Sequence, residues 1–244
     1  RCARVTGVQT CALPIYDAAF FNMCRPLELV FANGMDKGEI VGIPTGDVTQ
    51  MKSFEEFFDA YKKQMEYCIS LLVNADNAID VAHAERCPLP FLSCMIDDCL
   101  KEGRSVQEGG AVYNFTGPQG FGIANMADGL FAIRKLVYEE KKVSMEEFKE
   151  ALAWNYDKGL DAQSAGDMTE MIMKAMQKAG KEADASTAAG LLKTFIGMKP
   201  GEQKTQRFKE IHDMIDEVPK FGNDIPEIDY FAREVAYTYS KPLQ

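Results

Sequence analysis

A single long apolar stripe constrains the fold of this chain more than any other feature. Ser53 and Glu56 form the S-x-x-E pattern of a helix capping box. Apolar side chains then recur at helical spacing over 54–79, and the pattern continues to about Glu85. Prolines beginning at Pro88 end it. Because such a stripe is typical of core packing, the sequence predicts one long helix within a helix-rich fold.

Shorter apolar periods and residues that start or stop helices predict the other elements. Asp17 fits the N-cap of a helix that the Asn-Gly pair at 33–34 ends, and Pro26 predicts a kink or an early break within it. Ser144 begins another helix by the same capping-box pattern, ending near Gly159. The remaining predicted helices cover 91–101, 123–140, 167–179, 184–196, 202–216 and 228–239. The three polar helices among them favour a peripheral insertion at about 160–216.

The first fifteen residues do not fit the rest of the chain. They show neither a helical nor an alternating period, and they lack the layout of a signal peptide. The string VTGVQTCALPI at 5–15 is what a widely used short-read sequencing adapter gives when it is translated in one frame. We therefore interpret 1–15 as a non-native, adapter-derived segment, with Tyr16 at the junction and a genuine N-terminal strand as the alternative.

Composition excludes several classes of protein. Asp and Glu outnumber Lys and Arg 37 to 27, which gives a formal charge of −10. Such an acidic surface repels a phosphate backbone, so we expect no nucleic-acid partner. No apolar run approaches the length of about 18 residues that a transmembrane helix needs, so we expect no membrane span.

The seven cysteines predict reduced thiols in a cytoplasmic protein rather than a disulfide framework, because their number is odd and no secretory signal precedes them. His83 and Cys87 stand four residues apart, but two ligands make a poor zinc site. We therefore expect no metal, and buried apolar thiols instead.

The stretch GGAVYNFTGPQGFG at 109–122 is the least ordinary part of the sequence. Its pattern predicts a short strand over 111–115 and a turn with positive φ angles over 116–120. The glycine order differs from G-x-G-x-x-G, so the run does not indicate dinucleotide binding. It suits either the presentation of hydroxyl and amide groups into a cavity or a purely structural strand-to-helix turn.

Five segments of the chain resemble glycyl radical enzymes. The most specific is YNFTGPQG at 113–120, and the others are DAAFFN at 17–22, IDDC at 96–99, IANMAD at 123–128 and FGND at 221–224. The similarity is to the pyruvate formate-lyase-like branch, which holds diol dehydratases, arylacetate decarboxylases and alkylsuccinate synthases. It covers nearly all of 17–239 apart from the polar helices.

The resemblance implies that 16–244 is an internal part of the catalytic domain, a partial segment of a ten-stranded α/β barrel. In that family a cysteine inside the barrel becomes a thiyl radical and abstracts hydrogen from a small organic substrate. Dehydration, decarboxylation or carbon–carbon bond chemistry follows. The resemblance further implies a glycyl radical installed by a radical S-adenosylmethionine activase, no other bound cofactor, and a homodimer when the parent is intact.

Two motifs of the family are missing from this sequence. The radical cysteine should stand in a Gly-Cys-Val-Glu loop shortly before Asp17, where the adapter-like string lies, and Cys2 lacks that context. The Arg-Val-x-Gly-Tyr motif of the radical glycine is also absent. We therefore predict no catalytic residue in this chain, no C-terminal glycine radical domain, and an inactive fragment of a glycyl radical lyase.

The resemblance nevertheless implies substrate-binding residues. In diol dehydratases the aspartate of DAAFFN binds substrate hydroxyl groups; Asp17 matches it, although the same residue could equally cap its helix. We expect Tyr113, Asn114, Thr116 and Gln119 to present polar groups to the same cavity.

Two other functions stay open. One is a stand-alone helical binding or scaffold module without catalysis. The other is a lyase that uses Asp17, Tyr113 and Asn114 without a radical. The polar helices and the polar turn hint at a decarboxylase or aryl-type substrate, although those helices also fit a surface excursion.

Overall fold

The computed structural model describes residues 17–113, 117–157 and 202–243. Several predictions lie outside the described residues: the adapter-derived segment 1–15, the site residues Asn114 and Thr116, and the helices at 167–179 and 184–196.

The described elements follow one another in this order: β1 (Asp17–Asn22), α1 (Arg25–Phe31), β2 (Met35–Asp36), β3 (Glu39–Ile40), α2 (Phe54–Arg86), α3 (Pro90–Cys94), α4 (Cys99–Glu102), β4 (Gly117–Phe121), α5 (Ile123–Ile133), α6 (Met145–Ala153), α7 (Glu202–Glu217) and α8 (Pro226–Ser240). A π-helical turn, Arg134–Glu139, continues α5, and 3₁₀ turns cover Val48–Gln50 and Asn155–Asp157.

The long helix α2 confirms the prediction from the apolar stripe. Its N-cap Ser53 accepts a hydrogen bond from the backbone N–H of Glu56 at 3.2 Å, and the Glu56 carboxylate accepts one from the N–H of Lys52 at 2.7 Å. The helix runs for 33 residues and ends at Arg86, shortly before Pro88. Its first half carries most of its buried side chains, including Phe57, so this half builds the core.

The core lies where α2, α5 and α8 meet. Phe231 of α8 has its ring centroid 5.7 Å from that of Phe58 on α2 and 6.0 Å from that of Phe131 on α5, and all three side chains are buried. Helix α6 joins through Phe148, whose ring stacks on that of Phe31 at 6.5 Å. Aromatic burial of this kind stabilises the packing of the helices around the strands.

The strands form two small sheets. β1 pairs with β4 in parallel, and β2 pairs with β3 as an antiparallel hairpin. Parallel sheets normally have both faces covered, yet Phe20 on β1 keeps 66% of its surface exposed. The order of helices and strands confirms the helix-rich α/β class. The described residues contain only one parallel strand pair, so they do not show the barrel itself.

The prediction that Asp17 caps a helix is wrong. Asp17 is the first residue of β1, and the helix begins only after Cys24, with Pro26 in its first turn. Proline is favoured there because its missing N–H would have no helical partner. Pro26 therefore lies in the first turn of α1 and does not kink a longer helix. The predicted stop holds, because α1 ends at Phe31 and Gly34 takes a φ of 78°.

The turn predicted over 116–120 is also wrong. Gly117–Phe121 forms strand β4, and 111–113 form bends instead of the predicted strand. Proline is tolerated in a strand whose N–H side faces no partner, and β4 pairs with β1 alone among the described strands. Among the described residues of 109–122, positive φ values occur at Gly109 (75°) and Gly122 (92°).

Two further helices differ in extent from the prediction. The helix expected over 91–101 is divided into α3 and α4, because Asp98 adopts a left-handed conformation with a φ of 70°. The helix expected to end near Gly159 stops at Ala153, and Tyr156 beyond it has a φ of 58°. By contrast, the helices predicted over 123–140, 202–216 and 228–239 are confirmed by α5 with its π-helical turn, α7 and α8.

The capping box at the start of α6 allows a stability prediction. The Ser144 hydroxyl accepts from the N–H of Glu147 at 3.2 Å, and the Glu147 carboxylate accepts from the N–H of Ser144 at 3.1 Å. Replacing Ser144 with Ala is expected to cost about 1 kcal/mol and to lower the melting temperature by about 2–4 °C. Ser144→Thr keeps the acceptor and is the control; equal losses in both variants would contradict the capping role.

The contribution of Glu147 in this capping box to the stability of the fold depends on pH. The N–H of Ser144 and then the guanidinium of Arg207 hold the pKa of Glu147 below its ordinary value of 4.5. Because the folded-state pKa is the lower one, this stabilisation is present above the ordinary value and is lost as the pH falls through the folded-state value. The stability lost in Glu147→Gln, which removes the titrating carboxylate, should therefore shrink in acid; melting curves of this variant and of the parent at neutral and acidic pH measure the effect.

Candidate functional site

The start of the β1–β4 pair brings two of the motif segments together. In the parallel register Asp17 lies opposite Gly117, so both strands begin at the same end of the pair, which we call the 17/117 edge. Residue 117 directly follows the segment that holds Asn114 and Thr116, both outside the described residues. The backbone thus places DAAFFN beside the entry into GPQG, two segments about one hundred residues apart.

A register irregularity lies at this edge. Asp17 pairs with Gly117, but Ala19 already pairs with Pro118, so β1 has one extra residue there. Bulges of this kind change the direction in which neighbouring side chains point, and they are common next to functional sites. The irregularity therefore marks the 17/117 edge as a position with a specific local geometry.

The structure describes two of the other predicted site residues. Gln119 is half-buried on β4 and lies opposite Phe20. Tyr113 precedes the edge and keeps 79% of its surface exposed. The strand pairing brings Asp17 and Gln119 into one small sheet. A cavity shared by Asp17, Gln119 and Tyr113 stays a prediction.

The opposite end of the strand pair is anchored to α1 and α2. The backbone N–H of Met23 donates to the carbonyl of Phe121 at 3.0 Å, and the Tyr61 hydroxyl donates to the carbonyl of Met23 at 3.3 Å. Tyr61 and Met23 are fully buried. This network fixes where the two strands end, and hence the position of the 17/117 edge relative to the helical core.

The cysteine nearest the strands is not an activated nucleophile. Burial, with a smaller effect from the Glu28 carboxylate, raises the pKa of the Cys24 thiol. Burial also raises the pKa of Cys68. A raised pKa keeps a thiol protonated and weakly nucleophilic at neutral pH. The expectation of buried thiols is confirmed only for Cys99 among the described cysteines, because Cys24 and Cys68 are half-buried and Cys87 and Cys94 are exposed.

Two further motif segments are connected by a hydrogen bond. The carboxylate of Asp128, in IANMAD, accepts from the backbone N–H of Phe221, in FGND, at 2.7 Å. Helix α5 begins directly after β4, so this bond links the loop at 221–224 to the helix that follows the 17/117 edge. It gives both motifs a structural role.

The described parts of the chain contain neither a candidate metal site nor a candidate membrane span. No group of three or more His, Cys, Asp or Glu side chains there could hold a metal ion. His83 and Cys87 are joined only through the backbone, by the helical bond from the Cys87 N–H to the His83 carbonyl. Within the same residues, no helix is both long and apolar enough to cross a bilayer.

Sequence analysis missed one residue that contacts both strands of the candidate site. Tyr239, in the last turn of α8, lies against both β1 and β4. Burial and then the Asp76 carboxylate raise the pKa of Tyr239 to about 12. The apolar period of α8 predicts that position 239 is on a buried face, but nothing in the local sequence indicates that it meets the strands.

Comparison with known proteins identifies the family. The pyruvate formate lyase-like family model matches residues 4–244. A solved structure that concerns 1,2-propanediol dehydration in Roseburia inulinivorans is 56% identical, with a TM-score of 0.86 over 93% of this chain and 28% of that chain. The glycerol-bound B12-independent glycerol dehydratase of Clostridium butyricum is 38% identical, with a TM-score of 0.68 over 93% of this chain and 23% of that chain.

The curated relatives belong to the same class of enzyme. The trans-4-hydroxy-L-proline dehydratase of Clostridioides difficile is 37% identical over 140 residues, which are 57% of this chain and 18% of that protein. The chain therefore spans about a fifth to just over a quarter of the length of these proteins. The family match begins within 1–15, and the adapter interpretation of that segment stays a prediction. Together with the motifs at the 17/117 edge, these matches show that the chain belongs to the pyruvate formate lyase-like family of glycyl radical enzymes.

Proposed function

We propose that this chain is part of a glycyl radical diol dehydratase and that its 17/117 edge binds the hydroxyl groups of a small vicinal diol. The observation that carries the proposal is the parallel register of Asp17 with Gly117, which places DAAFFN beside GPQG, the second half of the motif YNFTGPQG. The similarity to proteins of 1,2-propanediol and glycerol dehydration supports the substrate class.

The chemistry of the residues suits a diol. A carboxylate only accepts hydrogen bonds, and a vicinal diol offers two hydroxyl donors close together. Bonds from a hydroxyl to an ionised acceptor are roughly twice as strong as neutral ones. In this proposal Asp17 accepts from the substrate hydroxyls, while Tyr113, Asn114, Thr116 and Gln119 supply further polar contacts.

The remaining parts of the proposed enzyme are those of the family. A barrel completed by further strands would enclose the substrate, a glycyl radical would start the reaction, and a radical S-adenosylmethionine enzyme would install that radical. We also propose a homodimer. Dehydration then removes water from the diol and leaves an aldehyde, so that no external oxidant or reductant is consumed.

The comparisons favour dehydration over the decarboxylase hint of the polar helices. The indoleacetate decarboxylase of Tractidigestivibacter scatoligenes is 25% identical over 93% of this chain, well below the 56% of the structure that concerns propanediol. They likewise favour a lyase over a stand-alone scaffold module, because the curated relatives are dehydratases, a decarboxylase and sulfite-lyases.

The test uses the full-length protein that contains residues 17–243, produced without oxygen together with an activase. Electron paramagnetic resonance measures its radical content, and aldehyde formation is measured with 1,2-propanediol and with glycerol. We expect aldehyde from a diol and no turnover of indoleacetate or isethionate. Activation followed by turnover of indoleacetate or isethionate, with no aldehyde from either diol, would overturn the proposal.

A further inference from the structure

One aromatic ring lies under both strands of the candidate site. The ring of Tyr239 stacks on that of Phe21 of β1, with centroids 5.4 Å apart and an interplanar angle of 27°. On β4, a Cβ atom added to Gly120 would lie 2.8 Å from both Cδ1 and Cε1 of Tyr239. Since Cβ atoms in proteins essentially never approach other heavy atoms within 3.0 Å, Gly120 is the residue type that lets this ring reach the strand.

The two contacts fall on one cross-strand pair. Phe21 lies opposite Gly120 in the parallel register, so a single side chain supports both strands at the same level. Side chains alternate between the faces of a strand, and the neighbouring pair, Phe20 and Gln119, therefore lies on the other face. The ring of Tyr239 therefore packs against one face of the β1–β4 pair, and Gln119 lies on the opposite face.

Tyr239 is held by its ring and not by its hydroxyl. Only 9% of its surface is exposed, and its hydroxyl has no hydrogen-bond partner among the described residues. Helix α8 is fixed by buried side chains that include Ile228 and Val235. The ring is therefore a rigid spacer between the helical core and the strands.

We infer that Tyr239 is a positioning residue: its contact with Gly120 and Phe21 sets the height of β4 relative to β1, and thereby the geometry of the 17/117 edge. This inference rests on the proposed function. Positions 117 and 120 are only about 10 Å apart along the strand, so a shift at Gly120 is transmitted to the edge. A misplacement of about 1 Å can lower an enzymatic rate by about 100-fold.

The test places one methyl group in this contact within the activated full-length enzyme. Gly120→Ala is expected to lower kcat for a diol about 10- to 100-fold while radical content stays at the parent level. Gly129→Ala is the matched control, because a Cβ at that glycine of α5 would meet, among the described residues, no atom within 4 Å apart from its chain neighbours and the helix's own backbone. It should retain parental kcat.

Variants of Tyr239 test the same contact from the other side and remain informative if Gly120→Ala does not fold. Tyr239→Phe keeps the ring and should retain parental kcat, whereas Tyr239→Leu should lose about 10-fold or more. In the double variant Gly120→Ala/Tyr239→Leu, the loss in kcat should be smaller than the two single losses combined. The reason is that the added methyl group no longer meets the ring of Tyr239.

The outcomes separate this inference from the proposed function. Parental kcat in both Gly120→Ala and Tyr239→Leu overturns the inference, and so does a loss in Tyr239→Phe equal to that in Tyr239→Leu. A parent enzyme that carries the radical but dehydrates no diol overturns the proposed function instead. The variants are then compared on the substrate that it does convert.

Discussion

Replacing Asp17 with Asn in the activated full-length enzyme is expected to lower kcat/KM for 1,2-propanediol by about 100-fold. The amide has nearly the same size, but it has no charge and presents a donor where the substrate hydroxyls also donate. Hydrogen bonds to a charged group contribute about 1.5–3 kcal/mol, and 2.7 kcal/mol corresponds to about 100-fold. Initial rates of aldehyde formation at several diol concentrations measure the effect.

Asp59→Asn is the matched control for this substitution. Asp59 lies on α2 with 60% of its side chain exposed and forms an i,i+3 ion pair with Lys62 at 2.9 Å. Exposed pairs of this kind contribute little, so kcat/KM should not change. Radical content should equal the parent level in both variants. A parental kcat/KM in Asp17→Asn would show that Asp17 does not bind the substrate.

Truncating Phe57 to Ala is expected to lower the free energy of unfolding by about 3–5 kcal/mol. Phe57 is fully buried on α2, and its ring centroid lies 5.7 Å from that of Phe31 and 6.4 Å from that of Tyr138. The substitution removes a large apolar side chain and leaves a cavity between α1, α2 and the π-helical turn. Urea unfolding followed by circular dichroism measures the loss as a lower midpoint.

Two control variants test whether the loss of unfolding free energy in Phe57→Ala comes from its buried position. Phe57→Leu keeps most of the apolar volume and should cost less than about 1.5 kcal/mol. Phe91→Ala makes the same truncation on α3, where 81% of the side chain is exposed, and should change the free energy of unfolding by at most about 0.5 kcal/mol. Equal midpoints for Phe57→Ala and Phe91→Ala would mean that Phe57 is not part of a packed core.

Local patterns predicted most of the helices. The signals for α2 lie within a few residues of one another: Ser53 accepts from the N–H of Glu56, and the apolar stripe faces the core. The same holds for the capping box at Ser144. Helix starts, stops and faces depend on contacts three or four residues apart, so a single sequence contains enough information to place them.

The strands could not be placed in this way. DAAFFN has no clear alternation, and GPQGF contains two glycines and a proline, so neither segment looks like a strand on its own. Each becomes a strand by pairing with the other, which lies about one hundred residues away. The bend at Asp98 that separates α3 from α4 was missed too, since nothing in 91–101 predicts a left-handed residue there.

The sequence by itself determined the helix-rich class, the acidic surface and, through its motifs, the resemblance to glycyl radical enzymes. Only the tertiary structure decided that Asp17 begins a strand beside Gly117 and that Tyr239 lies beneath Gly120. The physical reason is the range of the interactions. Helical hydrogen bonds and apolar periods are local, whereas the pairing of β1 with β4 and the fit of a ring against a glycine arise only when distant segments meet.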